Sequence, residues 1–235
     1  RRLAASAGEP RPARGEVVVW DLADGRPVAT YRAHGEVVDA VAFLDDRRIA
    51  SAGGDGKVHV WDSATAGRLM ILEGHGEGVR RLALSGDGRT LASGSDDGTV
   101  RLWDAATGGP GPVLAADAEV LALAYSDDGR WLAAAVRDGS ILLWDPRRPG
   151  SPRRLDGHAR DVLALVFSPD GRLISGGLDK CVRVWDVEGG RAILTLRDHG
   201  AAVTGLAISR DGGRLASSSF DHTVKVWEAP PVAPD

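Results

Sequence analysis

Apolar and polar positions follow one another along this chain in a fixed order. An apolar run opens each unit: "VVDAVAF", "VRRLAL", "VLALAYS", "VLALVFS" and "VTGLAIS". A polar turn follows each one: "LDDR", "SGDGR", "SDDGR", "SPDGR" and "SRDGGR". Asp and Gly suit these places because a tight reversal needs left-handed or bridge backbone angles, which Gly adopts without steric cost. A run of small residues comes next, as in "TLASGS" or "RLISGG". A second tight turn then leads into a β-branched run ending in Trp-Asp, as in "GGDGKVHVWD", "SDDGTVRLWD", "VRDGSILLWD", "LDKCVRVWD", "FDHTVKVWE" and, earlier, "RGEVVVWD". A last run such as "RLMILEG" or "RAILTLR" closes the unit. Short strands separated by turns at intervals of roughly eight to twelve residues predict an all-β protein. The first run of each unit is almost continuously apolar, as expected for a strand covered on both faces.

The units repeat. Trp20, Trp61, Trp103, Trp144, Trp185 and Trp227 are separated by 41, 42, 41, 41 and 42 residues. That period is far too long for a heptad or a collagen triplet and accommodates four short strands per unit. Four-stranded sheets arranged radially bury both faces of their strands, so the pattern predicts a β-propeller with six visible units.

On these residues the chain resembles the WD-repeat family across nearly its whole length, and GC-rich bacterial members in particular. The family's Gly-His pair occurs as Gly74-His75 and Gly157-His158, with the variants Ala33-His34 and Asp198-His199. From each His to the next Trp is 27 or 28 residues. The resemblance implies a buried hydrogen-bonded set in each blade. By position these are His34, Ser51, Asp55 and Trp61; His75, Ser93, Asp97 and Trp103; His158, Ser175, Asp179 and Trp185; and His199, Ser217, Asp221 and Trp227. In such a set the carboxylate accepts from the imidazole, the imidazole engages the hydroxyl, and the indole N–H donates to that hydroxyl, so each polar group has a partner. A catalytic Ser-His-Asp reading fails on number, because four copies at one period are architecture and a catalytic set is normally unique. The Trp144 unit keeps Asp138 but has Ala116 and Ala134 at the His and Ser positions. Losing both partners of a buried contact costs less than losing one, and this blade is expected to be the least rigid.

The chain opens on "RRLAASAG", which matches the second strand of a unit, and "EPRPAR" reads as an insertion. It ends on "EAPPVAPD", too Pro-rich to be a ladder strand. The expected organisation is a propeller over 1–229, its first blade lacking the innermost strand and its last the outermost, and a Pro-rich tail at 230–235. The resemblance implies a closing strand upstream, with a seven-bladed ring as the family's commoner form.

Composition changes this picture little. The chain has 235 residues, 43% hydrophobic and 26% charged, with a formal charge of −4, which is too mild for bulk attraction to nucleic acid. No apolar run approaches the ~20 residues that span a bilayer, and the N-terminal residues carry no secretory h-region. Cys181 is the only cysteine, so no intrachain disulfide is possible; a reducing, cytoplasmic location is expected. Only Lys57, Lys180 and Lys225 are lysines among 29 basic residues. Arginine-rich surface is therefore discounted as evidence for phosphate binding.

The expected function is a non-catalytic platform for a protein or peptide partner on the loop face. The candidate contacts flank the turn aspartates (Gly54, Asp96, Arg137, Leu178 and Phe220) or open the inner strands (Asp39, Arg80, Leu121, Leu163 and Thr204). Leu163, Leu178 and Phe220 could form an apolar patch rimmed by Arg80 and Arg137, in the manner of an interface core. The alternative is a regulatory propeller of a larger enzyme with a kinase, NTPase or protease-like domain upstream. No nucleophile motif, phosphate loop or metal-ligand spacing is present, and no cofactor or metal is expected. The acidic pairs Asp45-Asp46, Asp96-Asp97 and Asp127-Asp128 lack EF-hand spacing and read as turns. "PRRPGSPRR" (146–154) has four arginines but no interleaved aromatics, which single-strand binding would use. Lys180 and His222 stand where sister turns have Gly, and Cys181 reads as a small strand residue.

Overall fold

A computed structural model describes residues 2–8, 15–148 and 150–228. The insertion at 9–14 and the tail at 230–235 lie outside the described residues. The fold is all-β, and its sheets are β-propeller blades. The chain divides into two compact units, Arg1–Val120 and Leu121–Asp235.

The first unit holds three antiparallel sheets. One joins β1 (Arg2–Gly8), β2 (Gly15–Asp21) and β3 (Pro27–His34). The next runs β4 (Val38–Phe43), β5 (Arg48–Gly53), β6 (Val58–Asp62) and β7 (Arg68–Leu72). The third runs β8 (Val79–Leu84), β9 (Thr90–Ser95), β10 (Thr99–Asp104) and β11 (Pro110–Ala115). Val17, Val19, Tyr31, Ile49 and Trp61 pack between the first two sheets, and Val58, Val60, Val79, Leu91 and Trp103 between the second and third.

The second unit repeats the scheme. One sheet has β12 (Val120–Tyr125, starting at the boundary), β13 (Leu132–Val136), β14 (Ile141–Trp144) and β15 (Arg153–Leu155). Its neighbour has β16 (Val162–Phe167), β17 (Leu173–Gly177), β18 (Val182–Asp186) and β19 (Arg191–Leu196). The last has β20 (Val203–Ile208), β21 (Arg214–Ser219) and β22 (Val224–Glu228). Leu143, Leu155, Leu173 and Trp185 fill the space between the first two of these sheets.

The second strand of a sheet such as β17 is rich in small residues because the next sheet lies directly on it. A Cβ added at Gly176 would come within 2.5 Å of Val203 Cγ1. The turn after that strand requires a left-handed residue. Gly56, Gly98 and Gly139 supply it with φ of 72°, 76° and 84°, whereas Lys180 and His222 adopt 68° and 66° with a Cβ present. That conformation costs a non-glycine residue about 1–2 kcal/mol. Lys180→Gly is therefore expected to raise stability by about 1 kcal/mol, less what glycine returns to the unfolded chain, read as a higher urea midpoint.

Candidate functional site

Three of the four predicted sets close as hydrogen-bonded chains. His75 Nδ1 lies 2.9 Å from Asp97 Oδ2 and its Nε2 2.8 Å from Ser93 Oγ, which also accepts from Trp103 Nε1 at 2.8 Å. In the His158 set the corresponding distances, to Asp179, to Ser175 and from Trp185, are 2.9, 2.7 and 2.7 Å. In the His199 set, to Asp221, to Ser217 and from Trp227, they are 2.8, 2.8 and 3.0 Å. Every group is satisfied when Nδ1–H donates to the carboxylate and the serine hydroxyl donates to Nε2.

Burial holds the imidazolium forms of His75 and His158 below the usual range, partly offset by the bonds to Asp97 and Asp179. For Asp97, burial acts to raise the pKa, but bonds from the Thr99 hydroxyl, the Gly76 N–H and His75 outweigh it and bring it to about 2. Asp179 follows the same balance, its largest opposing bond coming from His158. A hydroxyl held by both an imidazole and an indole inside a sheet has no access to a substrate, so these sets hold blades together.

The fourth set departs from the expectation. His34 Nδ1 reaches Asp55 at 3.0 Å and its Nε2 reaches Ser51 Oγ at 2.8 Å, but the Trp61 indole N–H has no partner among the described residues. This blade differs at Tyr31, whose ring stacks on Trp61 at 4.9 Å with planes 6° apart. Tyr31 pairs across the ladder with Val17, a register at which the other outer strands place Leu72, Leu114, Leu155 and Leu196. The Tyr31 hydroxyl is 2.8 Å from His59 Nδ1. His59 in turn occupies a register that carries Arg101, Leu142, Arg183 and Lys225 elsewhere.

Ala116, just after β11, is buried, as is Ala134 in the Trp144 sheet, where Asp138 turns to the Ser140 hydroxyl at 2.6 Å and Arg154 at 2.8 Å. Its outer strand β15 pairs through only Ile141–Leu155, Leu142–Arg154 and Leu143–Arg153. Amides of β15 are expected to exchange with solvent faster than those of the six-residue β19 in the same unit; native-state hydrogen exchange measures this.

The residues flanking the turn aspartates occupy one rim position. The N–H groups of Gly54 and Asp96 donate to Val37 and Gly78 at 3.0 and 2.9 Å, and those of Leu178 and Phe220 to Asp161 and Ala202 at 2.8 and 3.0 Å. In the first unit Arg80 bridges Asp96 at 2.8 Å and Asp39 at 3.3 Å. In the second, Phe220 is 66% exposed, Leu163 and Leu178 are half-buried and Arg137 is exposed. Arg153 and Arg154 of the arginine-rich run pair within the chain. Arg153 donates to the carbonyls of Val187 and Glu188, at 2.7 and 2.6 Å, and Arg154 pairs with Asp138 and Asp156, both at 2.8 Å. The acidic turns are local too, since Asp45 accepts from the N–H groups of Arg47 and Arg48 at 2.9 and 2.7 Å.

The sequence profile described as WD domain, G-beta repeat, matches residues 25–62, 67–104, 111–145, 150–186 and 190–228. The chain is 40% identical over 73 residues, 31% of its length, to Periodic tryptophan protein 2 of Arabidopsis thaliana, of which this covers 8%. It is 40% identical over 77 residues, 32% of its length, to Mitochondrial division protein 1 of Neurospora crassa, covering 12% of that protein. It is 37% identical over 71 residues, 30% of its length, to the human U3 small nucleolar RNA-associated protein 15 homolog, covering 14% of it. The matched segment is thus a small part of each of these curated relatives.

Proposed function

The chain belongs to the WD-repeat family, and from that premise we propose that it is a non-catalytic platform binding a protein or peptide at the rim beside the turn aspartates. The exposure of Phe220 carries this reading: a large aromatic, 66% accessible, stands beside the rigid Asp221 turn. Asp221 is held by the Thr223 hydroxyl at 2.6 Å and His199 at 2.8 Å, so the aromatic is presented on an ordered support. Aromatic side chains bury large area at low entropic cost and are enriched at binding hot spots. Arg80, fixed between two carboxylates, offers a preorganised polar contact in the other unit.

A displayed-peptide selection against the full chain would supply a ligand for the test. Phe220→Ala is expected to weaken it by about 30-fold, the loss typical of a hot spot. Arg80→Ala should weaken ligands that reach that unit. Val113, 51% exposed on the outer strand β11, is the control, and Val113→Ala should leave binding unchanged. Sensitivity at Val113 with none at Phe220 would move the binding surface to the strand edges and end this reading.

A further inference from the structure

We propose that His34, Asp55 and His59 bind one divalent transition-metal ion of the zinc class. One nitrogen of each imidazole and one Asp55 oxygen lie within 4.8 Å of one another. Zinc bonds of about 2.0–2.1 Å place tetrahedral ligands about 3.4 Å apart. The His34 and His59 rings lie with centroids 4.2 Å apart and planes at 31°, so the imidazoles must swing apart by about 1 Å while the widest pair of donor atoms closes by roughly 1.4 Å. Two imidazoles and one carboxylate with a fourth position for water form an open zinc-type donor set.

The second observation is the unpartnered nitrogen. His59 is 3% exposed, and its Nε2 has no hydrogen-bond partner among the described residues. Its Nδ1 is committed to the Tyr31 hydroxyl at 2.8 Å. A buried nitrogen without a partner destabilises the fold unless a ligand takes it. With Nδ1–H donating to Tyr31, the Nε2 lone pair is free to coordinate. In the ion-free chain His34 Nδ1–H donates to Asp55 at 3.0 Å; an ion taking Nδ1 moves that proton to Nε2, where Ser51 Oγ, which Trp61 does not reach, accepts it. Each histidine would then have its outer ring nitrogen held by a second residue, the arrangement that orients metal-bound imidazoles.

The other three sets cannot do this. At the register of His59 they carry Arg101, Arg183 and Lys225, cations that repel a metal ion. The departures at positions 31, 59 and 61 thus have one common consequence.

The test titrates the chelator-treated full chain with Zn2+ and Co2+, followed by calorimetry, native mass spectrometry and imidazole nitrogen NMR. One ion is expected to bind in the micromolar range or tighter, with the visible absorption of tetrahedral Co2+. Ring nitrogens of His34 and His59 should shift while those of His75, His158 and His199 stay in place. His59→Leu, which copies Leu142 at the same register, should abolish the site, and Tyr31→Phe should weaken it about 10–100-fold. Circular dichroism checks that both variants fold, and the wild-type NMR shifts stand whether or not they do. No saturable binding below millimolar Zn2+, shifts confined to other histidines, or unchanged binding by folded His59→Leu would each overturn the proposal. None of these outcomes bears on Phe220, so this site and the rim stand or fall separately.

Discussion

Trp185→Ala is expected to lower the unfolding free energy by about 4 kcal/mol, within the 3–5 kcal/mol usual for removing a large buried aromatic. The side chain is 1% exposed and packs with Leu155, Leu173, Val162 and Val187 between two sheets. Its indole N–H donates to Ser175 Oγ at 2.7 Å, so the substitution also strips a buried hydroxyl of a donor. Ser175 retains His158 and is not orphaned, which places the cavity ahead of the lost hydrogen bond as the main cost. Trp185→Phe separates the two contributions: it keeps much of the apolar area and should cost about 1–2 kcal/mol. Trp227 makes the same bond at 3.0 Å but is only half-buried, so Trp227→Ala should cost clearly less. Urea unfolding of the three variants measures the ranking, and equal losses at Trp185 and Trp227 would contradict it.

Acidification is expected to destabilise the protein in two successive ranges. His75 and His158 have folded pKa values depressed chiefly by burial. Below about pH 6.5 the unfolded chain binds protons that these folded imidazoles refuse, so stability falls as pH drops from there. The aspartates come next. Asp55, Asp97 and Asp179 are depressed because the bonds they accept outweigh the burial that opposes them. Their stabilisation is fully present above about pH 4 and is lost as pH falls, through about 2 for Asp97. The Asp97 side chain is 14% exposed, and a shift from 3.8 to about 2 corresponds to at most about 2 kcal/mol. Unfolding free energies at pH 7, 5 and 3 would trace both ranges. Asp97→Asn should start lower at pH 7 and lose less between pH 5 and 3. A flat profile between pH 7 and 5 would mean that His75 and His158 titrate normally in the folded state.

Much of this was legible along the chain. The strand order and the two turns of each unit follow from a repeated spacing, because ladder pairing and turn geometry depend on residues close in sequence, and the partners of His75, His158 and His199 follow from the family resemblance. The Trp61 position was misread for a physical reason. Its motif is intact, but Tyr31, which stacks on its indole, lies on another sheet and stands where the other outer strands have Leu72, Leu114, Leu155 and Leu196, a register the spacing does not reveal. The grouping of His34, Asp55 and His59 is hidden likewise. Their separations of 21 and 4 residues match no ligand spacing, and their approach depends on how β3 lies against β5 and β6. The arginines at 153 and 154 were visible as charge, whereas their carbonyl and carboxylate partners were not.

The sequence by itself determined the all-β class, the period and the blade topology, since each rests on hydrophobic alternation and on local turn chemistry, and the family resemblance it carries supplied the hydrogen-bonded sets other than that of Trp61. Only the tertiary structure decided which repeat departs from the rest, which charged groups are consumed internally and which rim side chains face solvent. Those outcomes depend on packing between sheets, where a single aromatic stacked at 4.9 Å accompanies the one set whose indole is left without its partner among the described residues.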